Sequence, residues 1–152
     1  MGFRRLETLR NKTNLLVIDN SVIMRWLVGD GSENDKLKAT QVLKATQSKT
    51  HIAVVPNLWV YEASNVISSY VRREQLSEAI GLTRLSMPFE FCSIVDFEPS
   101  PIDLASISIE LGLASYDATY LLLAERLKCP MATLDNKLQK IANKRGCQLF
   151  TS

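Results

Sequence analysis

The first predicted strand of the chain reads Leu15-Leu16-Val17-Ile18-Asp19. Four apolar residues run without a polar interruption into an acid, which is typical of a strand buried on both faces of a parallel sheet. The residues from 20 to 27 have the pattern of a helix, so Asp19 is expected at a strand-to-helix corner. Ligands of open α/β sheets bind outside the carboxyl ends of the strands. Asp19 is therefore a candidate site residue, although Asp is also a common helix N-cap.

Strands and helices alternate along the rest of the chain. Further strands are predicted at 52–55, 91–95, 130–134 and 148–150, and further helices at 34–47, 57–72, 77–86, 102–111, 115–124 and 136–144. For 102–111 the alternation of Ile107, Ile109 and Leu111 leaves a strand as the alternative to a helix. Ser115 is expected to cap the helix that it opens. This alternation predicts an α/β fold in which right-handed crossovers cover both faces of a mostly parallel sheet with helices. Residues 1–13 are expected to form a short amphipathic or loosely ordered N-terminal extension, and residues 14–152 one domain.

Composition limits the functional classes. The chain has 152 residues, of which 46% are hydrophobic and 22% charged, as in an ordinary soluble domain. No apolar run approaches the roughly 20 residues of a membrane helix, and the basic N-terminus lacks the apolar segment of a signal peptide, so we expect a cytoplasmic protein. The formal charge of +2 is too small to indicate a nucleic-acid binder by itself.

The metal-binding and redox side chains are few. His51 is the single histidine, and Cys92, Cys129 and Cys147 have no metal-type spacing. We therefore expect no structural zinc site. The three thiols are expected to act as small buried hydrophobic groups.

Four of the sixteen acidic residues stand in apolar surroundings. Asp19 and Asp135 each follow an apolar strand, whereas Glu62 and Asp117 each interrupt the apolar stripe of a helix. Taken singly, each acid has a structural explanation: a helix cap, a favourable contact with a helix dipole, or, for Glu62, an ion pair with Arg25. A single site that contains all four explains them more economically.

Such a site would need a cation. Two carboxylates about 5 Å apart repel by roughly 3 kcal/mol at an effective dielectric near 20. Ligand sets made only of oxygen suit magnesium or manganese rather than zinc. One or two such ions lower the pKa of a bound water and neutralise the leaving oxyanion of a phosphodiester. The four acids therefore predict metal-dependent hydrolysis that requires no Ser, Cys or His nucleophile.

Four segments, in chain order, resemble the successive motifs of PIN-domain ribonucleases. They read Val17-Ile18-Asp19-Asn20-Ser21-Val22, then Pro56-Asn57-Leu58-Trp59-Val60-Tyr61-Glu62-Ala63-Ser64-Asn65-Val66, then Ser115-Tyr116-Asp117-Ala118-Thr119-Tyr120-Leu121-Leu122-Leu123-Ala124, and finally Thr133-Leu134-Asp135. The resemblance runs from about residue 14 to residue 150. Within this family it is greatest to the VapC-like toxins of type II toxin–antitoxin pairs.

The resemblance implies a specific fold and activity. The fold would be a PIN-like three-layer α/β/α sandwich with strand order 3-2-1-4-5, and the activity would be endonucleolytic cleavage of RNA with Mg2+ or Mn2+. The implied catalytic and metal-binding residues are Asp19, Glu62, Asp117 and Asp135, and the implied supporting residues are Asn20, Ser21 and Thr133. The resemblance also implies a homodimer and a protein antitoxin whose tail occupies the acidic groove.

Basic residues on two segments are candidates for contacts with RNA phosphates. The N-terminal set is Arg4, Arg5, Arg10 and Lys12, and the set on the last helix is Lys137, Lys140 and Lys144. Lysines and arginines of this kind position a nucleic acid through its backbone. Disorder of the N-terminus and simple solvation of the helix are the alternative explanations.

Three other functions remain open. A haloacid-dehalogenase-like phosphatase also begins with an apolar strand that ends in Asp, but it requires a second Asp where this chain has Ser21. A non-catalytic PIN-fold module for RNA or protein would retain the fold, although the presence of all four acids counts against it. A PIN nuclease that acts in RNA processing without an antitoxin fits the same residues.

Overall fold

The computed structural model describes residues 4–9 and 11–151. Within these residues the strands are β1 (Arg4–Arg5), β2 (Leu15–Ile18), β3 (Ile52–Pro56), β4 (Cys92–Asp96) and β5 (Met131–Ala132). The α-helices are α1 (Asn20–Val28), α2 (Glu33–Gln47), α3 (Leu58–Arg72), α4 (Glu78–Ser86), α5 (Pro101–Leu111), α6 (Ser115–Leu127) and α7 (Asn136–Lys144). Two short 3-10 helices cover Leu6–Thr8 and Met87–Glu90. The predicted alternation of strands and helices is confirmed.

The five strands form one parallel sheet in the order β1-β4-β3-β2-β5. The predicted order 3-2-1-4-5 corresponds to β4-β3-β2-β5 followed by the segment around Leu149, and it is confirmed. That last segment forms a single bridge, Met131 to Leu149, instead of the predicted strand. Helices flank the sheet, as the α/β prediction required.

The central strand β2 anchors the core. Its four residues are all buried, with β3 paired on one side and β5 on the other, and α6 packs against it. Burying each Val, Leu or Ile side chain contributes about 1.5–3 kcal/mol to folding. This explains why the strand reads as an unbroken apolar run.

The order of the strands reverses direction at β2. The chain moves from β2 to β3 and β4 on one side, and later returns to β5 on the other side. Because parallel crossovers are right-handed with few exceptions, this reversal places α1 to α4 on one face and α5 and α6 on the other. The reversal opens a crevice at the carboxyl ends of β2 and β5. Asp19 and Asp135 are the residues that lead out of this crevice into α1 and α7.

The N-terminal segment differs from its prediction. Arg4–Arg5 adds an edge strand to β4, and the Leu9 side chain is fully buried in the core. Two arginines carry no apolar strand pattern, so this strand does not follow from the residues alone. The division of the chain into an extension and a domain at residue 14 stays a prediction.

The helix ends mostly follow capping rules, with one correction. Ser32, Ser77 and Ser100 cap their helices through side-chain hydrogen bonds. The predicted cap Ser115 is instead the first residue of α6; the N-cap is Ala114, and the Ser115 hydroxyl lies 3.2 Å from that of Ser108. None of the helices within the described residues is long and apolar enough to cross a membrane.

The three cysteines are free thiols. Cys92 and Cys147 are buried, and Cys129 is partly buried. Burial raises the pKa of each thiol. This placement agrees with the prediction that they act as small buried groups.

Candidate active site

Asp19 lies at the corner between β2 and α1 and is only 4% exposed. Its Oδ2 accepts hydrogen bonds from the Ser21 hydroxyl at 2.6 Å and the Thr133 hydroxyl at 2.8 Å. Asp19 occupies the N-cap position of α1, but its side chain makes no capping hydrogen bond. The Ser21 and Thr133 hydroxyls, which lie outside the capping pattern, therefore hold this carboxylate in addition to its N-cap position.

The two hydroxyls that hold Asp19 also join the two corners of the crevice. Ser21 Oγ accepts a hydrogen bond from the Leu134 amide at 3.0 Å, and Thr133 Oγ1 accepts one from the Asp135 amide at 3.1 Å. Each hydroxyl thus donates to the carboxylate and accepts from the backbone after β5. The network holds the end of β2 and the end of β5 together around Asp19.

Asp135 is exposed and does cap its helix. Its Oδ1 accepts a hydrogen bond from the Leu138 amide at 2.9 Å. Gln139, one turn into α7, donates to the Thr133 carbonyl at 2.7 Å. These bonds fix the orientation of the Asp135 carboxylate at the rim of the crevice.

Glu62 lies on α3 and is partly buried. Its Oε1 accepts a 2.7 Å hydrogen bond from the phenol of Tyr120, a fully buried residue of α6. The ion pair with Arg25 that would have explained Glu62 structurally is not formed, because Arg25 pairs with Asp30 at 2.8 Å. Burial raises the Glu62 pKa to about 7, with smaller increases from Asp19 and Asp117 and an opposing effect of the Tyr120 hydrogen bond.

Asp117 lies in the first turn of α6 and is partly buried. Burial raises its pKa, the negative charges of Asp19 and Asp135 raise it further, and Lys137 lowers it. The pKa of Asp19 is also raised, by burial, against the effect of its hydrogen bonds to Ser21 and Thr133. Glu62, Asp19, Asp117 and Asp135 are therefore linked by mutual repulsion at the carboxyl edge of the sheet.

Comparison with known proteins identifies the family. The sequence matches the PIN domain over residues 16–144, a span that contains all four acids. The chain belongs to the PIN domain family. PIN domains are generally nucleases and typically use divalent metals. Membership of the family therefore supports nuclease activity and RNA binding in general terms.

A solved structure supports the fold of this PIN domain. The crystal structure of PAE2754 from Pyrobaculum aerophilum is similar to it, with a TM-score of 0.65 and 20% sequence identity. The similarity covers 91% of this chain and 86% of that chain. A comparison with curated proteins found no match.

The chemistry of the four acids fits a hard divalent cation. The donors are all carboxylate oxygens, and their mutual repulsion would be relieved by positive charge. Among the described residues, no three His, Cys, Asp or Glu side chains are already arranged to hold a metal ion. Magnesium sites usually use only one or two protein carboxylates and complete the coordination shell with water, so a cation at this site would be held by one or two of the acids directly and by the others through water.

The predicted supporting residues surround Asp19. Ser21 and Thr133 hold its carboxylate, and the backbone amides of Asn20 and Ser21 also lower its pKa. The side-chain Oδ1 of Asn20 is buried and has no hydrogen-bond partner among the described residues. It is thus a buried acceptor without a partner in the described part of the chain, on the residue that follows Asp19.

The predicted basic residues lie in separate regions of the structure. Lys137 lies near the acids, since it lowers the Asp117 pKa, and its Nζ donates to the Gly112 carbonyl. Lys140 and Lys144 are exposed further along α7. Arg4 and Lys12 line a different cavity with Asn14, Ile52 and Cys92, which lie at the amino ends of β2, β3 and β4. Arg5 is exposed, and Arg10 lies outside the described residues.

The contact that Tyr120 makes with Glu62 was not predicted from the sequence. The signal was present: Tyr120 lies one turn after Asp117 on a helix with six buried residues, and a buried tyrosine hydroxyl usually finds a polar partner. The partner itself is 58 residues away in the chain. Only the packing of α6 near α3 shows that it is Glu62.

Proposed function

We propose that this PIN domain is a divalent-metal-dependent endoribonuclease that hydrolyses RNA phosphodiester bonds. Asp19, Glu62, Asp117 and Asp135 would hold magnesium or manganese. The observation that supports the proposal best is the buried carboxylate of Asp19 at the topological switch point, which repels the carboxylates of Glu62 and Asp117, while Asp117 in turn repels Asp135. A buried carboxylate is costly unless a charge compensates it.

When bound, the metal ion supplies a water of lowered pKa and neutralises the leaving oxyanion. The chain's own residues provide position and charge. Ser21 and Thr133 hold the Asp19 carboxylate, and Tyr120 holds that of Glu62. Fixed carboxylates lose little freedom when they bind, which is the general advantage of preorganised sites. Lys137, beside Asp117, would contact a phosphate of the RNA.

The test is RNA cleavage by the purified protein in magnesium or manganese. The same protein in chelator is the negative control. We expect Asp19→Asn and Asp117→Asn to lose cleavage while they keep the far-UV circular dichroism of the wild type. The matched control is Asp103→Asn, because Asp103 also lies in the first turn of its helix but is exposed. Undiminished cleavage by both site variants would refute the proposal, and RNA binding without any cleavage would favour a non-catalytic module.

We further propose that the protein is the toxin of a type II toxin–antitoxin pair, acting in the cytoplasm as a homodimer. This finer assignment rests on the resemblance of the four motifs to VapC-like toxins. It predicts a neighbouring reading frame for a small DNA-binding protein whose product co-purifies with this chain and inhibits it. Light scattering of the purified chain tests the dimer. An active nuclease that has no such inhibitor would instead be an RNA-processing enzyme.

A further inference from the structure

A cavity of about 360 Å³ opens next to Glu62. Its lining combines aromatic, amide and aliphatic side chains, among them Asn20, Leu58, Tyr61, Glu62, Asn65 and Tyr116. This volume lies within the range of small-molecule sites, which are mostly apolar and contain a few orienting polar groups. The cavity is therefore large enough for one small planar group beside the acids.

Two tyrosines of this cavity are unusually exposed. Tyr61 is 75% exposed and Tyr116 is 59% exposed. Each directly precedes one of the acids, Tyr61 before Glu62 and Tyr116 before Asp117. The other two tyrosines differ, because the Tyr70 hydroxyl donates to Asp30 at 2.6 Å and the Tyr120 hydroxyl donates to Glu62. Tyr61 and Tyr116 thus present aromatic surface to solvent at the rim of the site.

The amides give the cavity a means to recognise a polar edge. Asn20 Oδ1 is buried and unpartnered among the described residues, and Asn65 is exposed on the same helix as Tyr61. Leaving a buried acceptor unpaired is unfavourable, so turning the Asn20 amide toward the cavity, where it would accept a hydrogen bond from a donor of the ligand, would be favoured. The amino and imino groups of nucleobases are donors of this kind.

We propose that this cavity binds one unpaired nucleobase of the RNA, stacked on Tyr61 and Tyr116, next to the phosphate that the acids process. The inference rests on the proposed function, because it assigns the substrate of the same site. Aromatic side chains stack on the face of any base, whereas amides discriminate between base edges. The carboxylates repel phosphates when no metal is present, so base stacking supplies an attraction that does not depend on the metal.

The test measures binding rather than cleavage. Fluorescence anisotropy in chelator compares a short labelled single-stranded oligoribonucleotide with an abasic chain of the same length and charge. We expect Tyr61→Ala and Tyr116→Ala each to weaken binding of the base-bearing RNA by about 5- to 150-fold and to leave binding of the abasic chain unchanged. Tyr61→Phe and Tyr116→Phe keep the ring and should bind like the wild type. Leu37→Ala is the control, since Leu37 is 58% exposed and lies outside the cavity lining.

Several outcomes overturn the base-binding inference. They are equal binding of the two chains by the wild type, no binding of either chain, unchanged binding by both alanine variants, and an equal loss for both chains. Parallel cleavage assays in magnesium separate this inference from the nuclease proposal. Tyrosine-dependent binding without cleavage would support the base pocket and refute the nuclease proposal. Normal cleavage by alanine variants that also bind RNA normally would support the nuclease proposal and refute the base pocket.

Discussion

The Tyr120 phenol donates a 2.7 Å hydrogen bond to Glu62 Oε1 and thereby links α6 to α3 at the edge of the site. Tyr120→Phe should remove this donor without changing the packing of the ring. We expect a loss of about 1–3 kcal/mol in unfolding free energy at a pH where Glu62 is charged, and a higher magnesium concentration for half-maximal cleavage. A denaturant titration and a magnesium titration measure the two effects. The control is Tyr70→Phe, because the Tyr70 hydroxyl bonds Asp30 instead. An unchanged magnesium requirement would show that the bond does not position Glu62.

The acids should destabilise the metal-free protein. Asp19→Asn removes a buried charge but retains an oxygen that can accept the Ser21 and Thr133 hydrogen bonds. In chelator we expect a gain on the order of 1 kcal/mol, or about 2–4 °C in melting temperature for a chain of this length. Differential scanning calorimetry measures the shift. Asp103→Asn is the control, and its melting temperature should equal that of the wild type. A lower melting temperature for Asp19→Asn would contradict the repulsion that we infer.

Magnesium should stabilise the wild type by mass action. A ligand that binds only the folded state adds about 2.7 kcal/mol at a concentration a hundred times its dissociation constant. The increase in melting temperature should be much smaller in Asp19→Asn and in Asp117→Asn, since each removes one negative donor. Thermal scans over a magnesium series test this without any RNA. Equal stabilisation of all three proteins would place the metal elsewhere.

Stability of the metal-free protein should fall between about pH 4.5 and pH 7. The pKa of Glu62 rises from its ordinary 4.5 to about 7 on folding, so the folded state holds this proton more tightly than the unfolded chain does. The stabilisation is complete below pH 4.5 and is lost as the pH rises through about 7. Because Glu62 is only partly buried, we expect a loss on the order of 1–2 kcal/mol after solvent screening.

Denaturant unfolding in chelator over this pH range measures the effect. The pKa values of Asp19 and Asp117 are raised in the same direction and add to it. Glu62→Gln should remove the contribution of Glu62 to the pH dependence of the unfolding free energy. A stability that increases across this window would contradict the cause that we assign.

Thr133→Val should lower the metal affinity of the site more than it lowers the stability of the fold. The Thr133 hydroxyl donates to Asp19 at 2.8 Å and accepts from the Asp135 amide at 3.1 Å, and valine keeps its shape but offers neither bond. Residues that orient metal ligands in this way typically contribute about 10- to 100-fold in metal affinity or activity. Isothermal titration with magnesium or manganese measures the affinity. Thr119→Val is the matched control, because Thr119 is also buried but its hydroxyl bonds the Ser115 carbonyl of its own helix. Equal effects of the two substitutions would indicate a general structural cause.

Much of the fold and the position of two acids follow from the sequence alone. An unbroken apolar run from Leu15 to Ile18 predicts a central parallel strand, and the acid that ends it must lie at the carboxyl edge of the sheet. The same reasoning places Asp135 after β5. These predictions succeed because hydrophobic periodicity decides which faces are buried, and a parallel order brings the carboxyl ends of the strands to one edge.

Only the tertiary structure decided which polar side chains form hydrogen bonds or ion pairs with each other. Thr133 and Asp19 are 114 residues apart, and Tyr120 and Glu62 are 58 apart. Arg25 pairs with Asp30 at 2.8 Å and not with Glu62, the partner that the sequence had suggested. Arg4–Arg5 became an edge strand because β4 offered it unpaired backbone groups. The apolar pattern determines burial over the whole chain, but a polar contact depends on a few tenths of an ångström between distant segments, and only their packing sets that distance.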